Sequence, residues 1–81
     1  MRKMKSKYGT IVNVTHHIML RNLWEYYVTD DKYTDDIVRC VVMGDETECG
    51  DVSLSEISPY IITKTKQLEN LAPANGWTWV E

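Results

Sequence analysis

The sequence predicts an all-β or β-rich α+β fold: a small five-stranded barrel-like sheet with a 3₁₀ turn and a short C-terminal helix. Three observations lead there. Ile37–Met43 packs three valines and an isoleucine around Arg39 and Cys40, the composition of a strand. Gly44-Asp45-Glu46 then turns the chain, and residues 47–54 return with Val52 and Leu54 in step with that strand. Trp77–Val80 alternates aromatic, polar, aromatic and apolar after an Asn75-Gly76 turn, as a closing strand does.

The remaining elements follow in order. Residues 1–7 are polar and basic, and the expectation is a loose segment ahead of one small domain at 8–81. Residues 8–15 alternate as a strand, with Val12 and Val14 on one face. Residues 17–28 carry two readings. Leu20, Leu23, Trp24 and Tyr27 fall on one helical stripe behind a cap at Thr15. Against it, 23–29 is rich in aromatic and β-branched residues and ends in an acidic turn, which favours a strand. Residues 30–36 form an acidic loop. Ser55–Tyr60 cannot continue a ladder past Pro59, which has no N–H, so a 3₁₀ turn is expected there. Residues 61–63 form a short strand, and 66–72 a two-turn helix stopped before Pro73. The expected core is Val12, Val14, Trp24, Val38, Val42, Val52, Leu54 and Ile61.

The loop length decides the register of the 37–54 hairpin. A three-residue loop sets Cys40 opposite Gly50 and keeps the apolar side chains on one face. The two cysteines, Cys40 and Cys49, then do not face each other and remain free thiols.

Charge divides along the chain. Residues 1–21 hold Arg2, Lys3, Lys5, Lys7 and Arg21 and no acid, a sum of +5. Residues 25–56 hold ten acids against Lys32 and Arg39, a sum of −8. Such a dipolar surface selects partners more than it selects folds. No apolar stretch has the length of a signal peptide or a membrane span, so a cytoplasmic protein with no membrane partner is expected.

Chemistry-bearing motifs are missing. His16 and His17 alternate across a strand and cannot share a metal without a bulge, and with Cys40 and Cys49 they match no zinc spacing. The loop of Asp30, Asp31, Asp35 and Asp36 lacks the alternating oxygens and central glycine of a calcium loop. Glu46 and Glu48 flank an exposed turn, where nothing raises a carboxyl pKa for acid–base work. Ser53, Ser55 and Ser58 sit near Glu56 without a nucleophile elbow, and backbone capping by Ser53 or Ser55 explains them better. The reading is therefore no enzyme, no metal and no cofactor.

The run from Trp24 to Ile62, behind a Tyr-Gly-Thr-Ile-Val opening strand, resembles the centre of Src-homology-3-like small barrels, Tudor-like and KOW-like modules among them. The shared features are an aromatic strand, a valine-rich strand, a tight hairpin, then Gly50-Asp51-Val52-Ser53-Leu54 leading to a Pro59-Tyr60 turn and a short strand. The resemblance covers about half the chain and implies a barrel. Such folds host unrelated functions.

Two functions compete. The first is a non-enzymatic protein-interaction module that meets a basic partner surface through Asp30, Asp31, Tyr33, Asp35, Asp36, Glu46 and Glu48. In size and charge it is similar to phage-type inhibitors and anti-defence proteins that mimic nucleic acid. The second is a nucleic-acid-binding barrel with Lys3, Lys5, Lys7 and Arg21 on phosphates and tyrosines stacking bases. A small-ligand pocket between Trp24, Tyr27 and Trp77 is a third reading.

Overall fold

Strand β2 (Ile11–Leu20) is the spine of the molecule, and an extra residue in it lets one strand serve two cores. The computed structural model describes residues 1–81. Around β2 stand β1 (Arg2–Ser6), β3 (Glu25–Lys32), β4 (Ile37–Met43), β5 (Thr47–Ser53), β6 (Ile61–Thr65) and β7 (Trp77–Val80), all antiparallel to their neighbours. The sheet order is β5-β4-β3-β2-β1-β7, and β6 pairs with the C-terminal half of β2. A helical turn α1 (Leu54–Ile57) and a 3₁₀ turn at Ser58–Tyr60 connect β5 to β6. The fold is β-rich as expected, with seven strands instead of five. No ladder joins β5 to β6, so the barrel stays open.

The register along β2 shows how the two cores arise. Val14 pairs with Thr29 and His16 with Val28, so Thr15 is one residue too many on β2. A bulge of this kind inverts the alternation beyond it. Val12 and Val14 therefore face one core, with Met4, Tyr27, Val41, Leu68 and Ala74, flanked by Trp77 and Trp79. Ile18 and Leu20, also at even positions, face the other core with Tyr26, Val28, Val38 and Cys40. Leu54 and Ile57 of α1 cover that second face. The Thr15 hydroxyl donates to the Val28 carbonyl at 3.1 Å and so ties the bulge to the facing strand.

Several expectations need correction. Residues 2–6 are a paired strand, not a loose segment, and Met4 is fully buried. The polar flanks Arg2, Lys3 and Lys5 hide that single apolar anchor. Residues 7–9 are a turn rather than the start of a strand, with Gly9 at a φ of 92°. Residues 17–28 hold no helix; the chain turns at 21–24 between two strands. The expected helix at 66–72 does not form. Arg2 Nη1, Tyr27 Oη and Trp79 Nε1 donate to the carbonyls of Leu68, Ala72 and Leu71 and fasten the segment as coil. Trp24 is not a core residue and retains 37% of its exposure.

The β4–β5 hairpin matches its expected register. Met43 pairs with Thr47 across the three-residue loop, and Cys40 lies opposite Gly50. Cys49 pairs with Val41 and so points to the face opposite Cys40. No helix is long and apolar enough to cross a membrane.

Candidate interaction surface

The acidic residues fall into two patches, separated by the length of β4. That strand has seven residues, which at ~3.3 Å per residue puts about 20 Å between its ends. Asp30, Asp31, Tyr33, Asp35 and Asp36 lie at one end, and Glu46 and Glu48 at the other. The single face expected from the sequence is thus not assembled.

At the first end most of the acids are engaged. Asp30 accepts from Asn13 Nδ2 at 3.2 Å. Arg39 Nε lies 3.7 Å from carboxylate oxygens of both Asp31 and Asp51. Asp36 is a fastener: it accepts from the Ser53 hydroxyl at 2.6 Å and from the Ser55 backbone N–H at 2.8 Å and hydroxyl at 3.0 Å. These donors, the Ser53 hydroxyl foremost, hold its pKa below the ordinary carboxylate value. The Ser53 hydroxyl also accepts from the Glu56 N–H, the capping expected of the serine run. Tyr33 projects from this loop, 80% exposed.

The hairpin end differs. Asp45, Glu46 and Glu48 form no ion pair. They line a cavity of about 340 Å³ whose remaining walls are Trp24, Val42 and Gly44. The β3–β4 register that pairs Glu25 with Met43 carries Trp24 onto Gly44 at the next step. A Cβ at Gly44 would come within 2.8 Å of three Trp24 ring carbons, so the missing side chain is what seats the ring. Sequence reasoning missed Asp45 and Trp24 as members of this patch; extending the β3–β4 register one step sets Trp24 beside Gly44, at the turn that holds Asp45.

On the opposite face of β5, Thr47 and Cys49 look across a groove of about 640 Å³ toward Lys7, Tyr8 and Trp77, with Glu46 and Glu48 on its rim. Glu46 and Glu48 therefore border two cavities, one on each side of the sheet.

The basic residues are not gathered either. Lys3 and Lys5 share a face of β1, opposite to buried Met4. Lys7 lies beside them in the turn, its Nζ 5.2 Å from the Tyr8 ring centroid. Arg21 lies beyond the far end of β2, against Tyr60. Trp24, Tyr27 and Trp77 do not form one pocket: Tyr27 is buried in the first core with Trp77 against it, whereas Trp24 borders the hairpin cavity.

The histidines occupy different environments. His17 is buried, with Nε2 2.8 Å from Glu25 Oε1 and its ring edge-on to Tyr27. A histidine pair at a strand end would ordinarily lie on the surface, and His17 does not. His16 sits at the bulge. Because the Thr15 hydroxyl donates to Val28, it accepts from His16 Nδ1–H at 2.9 Å. His16 Nε2 is then a buried acceptor with no partner. Burial first, then Lys64, Lys66 and His17, lower the His16 pKa. Burial, with a smaller contribution from Glu25, pushes the Tyr27 phenol up to about 12.

No protein-family model matches the chain, and neither does any curated protein or solved structure.

Proposed function

We propose that this chain is a non-enzymatic protein-interaction module that binds a basic partner surface through its acidic residues. The supporting observation is the hairpin patch. Three carboxylates without ion pairs surround a partly exposed tryptophan at the end of the sheet. Unpaired like charges repel one another, and a cationic partner relieves that repulsion. Tryptophan and tyrosine supply much of the energy in protein interfaces, and Tyr33 offers a second anchor at the other patch. Occlusion of a basic groove, as a nucleic-acid mimic achieves it, is the mode of action that suits such a surface. Phage-type inhibitors and anti-defence proteins are the class it fits.

The competing nucleic-acid reading loses a member, because Arg21 lies far from Lys3, Lys5 and Lys7. Parallel titrations with a lysine-rich peptide, single-stranded RNA and duplex DNA at low salt separate the two. The proposal expects binding of the peptide alone. Binding of RNA or DNA, weakened steeply by salt, with none of the peptide, would overturn it.

A further inference from the structure

The N-terminal part of β5 is a free sheet edge with a cavity on either side. β5 pairs with β4 alone, so the backbone N–H and C=O groups directed away from β4 have no ladder partner. Side chains of an extended segment alternate between the two faces of a sheet. A strand laid along this edge would therefore send successive side chains into the Trp24 cavity on one face and the Lys7–Trp77 groove on the other. Both volumes lie at the scale of ligand pockets.

We propose that an extended basic segment of a partner protein adds as a further strand along β5 from residue 47, with a lysine or arginine side chain seated on Trp24 among Asp45, Glu46 and Glu48. Charge selects this occupant. The two cavities present three carboxylates against the single cation Lys7. The exposed Trp24 ring attracts a cation through its π-face, and the carboxylates reinforce it. A second copy of this chain is disfavoured, because pairing two β5 edges would set two acidic strands, each carrying Glu48 and Asp51, side by side. Strand addition takes affinity from main-chain hydrogen bonds and specificity from pockets for alternate side chains, and this edge offers both.

The inference rests on the basic-partner reading above and adds the mode of binding. The probe is a capped peptide alternating lysine and valine, with two backbone N-methylated isomers, one methylated on the lysines and one on the valines. Only alternate N–H groups of an added strand point at its neighbour. The expected result is that one isomer binds about tenfold more weakly or worse while the other binds like the parent. Amide exchange at residues 47–51 slows with the parent peptide, and Glu48→Lys and Trp24→Leu each weaken binding several-fold. Equal binding by the parent and both isomers would overturn strand addition and leave the basic-partner reading standing. Protection confined to residues 30–36 would do the same. Failure of the parent peptide to bind at any salt would remove both.

Discussion

The ring of Trp24 occupies the space that a side chain on Gly44 would need: an ideal Cβ there would lie 2.8 Å from the ring. Gly44 does not have a positive φ, so alanine is acceptable to the backbone and the conflict is with the ring alone. Because Trp24 is partly exposed, it has room to swing outward. Gly44→Ala is expected to cost no more than about 1–2 kcal/mol in urea denaturation. It should nevertheless red-shift tryptophan emission and weaken binding of a basic peptide.

Residues 1–6 are part of the first core through Met4, which packs with Val14, Tyr27 and Val41. Met4→Ala should cost about 2–5 kcal/mol. Deleting the first six residues should do worse, because it strips the partner strand from both β2 and β7. Equilibrium denaturation checks both, and an unchanged midpoint after truncation would restore the picture of a loose arm.

The bulge at Thr15 makes a sharper demand. Removing Thr15 would restore strict alternation and turn Ile18 and Leu20 toward the wrong face, so the deletion variant should not fold cooperatively. Thr15→Val keeps the chain length but removes the hydroxyl's bond to the Val28 carbonyl and leaves His16 Nδ1 without its partner. A loss of about 1–3 kcal/mol is expected.

Two groups make stability depend on pH on the acid side. His16 has its folded pKa lowered from 6.5, so the unfolded chain binds the proton more readily. Its effect is absent well above pH 6.5, and stability falls as pH drops below that value. Asp36 has its folded pKa lowered from 3.8, so its contribution is present above that value and is lost as pH falls through the depressed one. His16→Leu should flatten the upper part of the stability–pH profile, and Asp36→Asn the lower part.

Cys49 is exposed and Cys40 is buried, and burial, with a smaller contribution from Asp51, pushes the Cys40 thiol up to about 12. A thiol-specific chromogenic reagent should modify Cys49 in the native protein and reach Cys40 only on unfolding. Their opposite facing across the β4–β5 ladder disallows a mutual disulfide, so a two-dalton loss in intact mass would contradict the register.

What was legible in the sequence is what strict alternation and turn chemistry control. The hairpin register follows from Val38, Val42, Val52 and Gly44, and the Asn75-Gly76 turn from the residue pair itself, Gly76 adopting a positive φ. The division into two cores was not legible. Val12, Val14, Ile18 and Leu20 all stand at even positions, and only the bulge at Thr15 assigns them to different faces. Leu68 and Ala74 reach the first core from irregular chain, where no periodicity marks them. The acids were legible as charge and not as a site: β4 holds the two loops apart, and Asp36 is committed to Ser53 and Ser55. A charge-reversal variant meant to test binding should therefore leave Asp36 in place.

The most direct test of the acidic-surface account is the association rate of the lysine–valine peptide across a salt series, with the native chain and with a variant carrying Asp45→Lys, Glu46→Lys and Glu48→Lys. The account predicts that the variant, folded by circular dichroism, associates at least about tenfold more slowly and loses most of the salt dependence. A folded variant with the native rate and the native salt slope would contradict it.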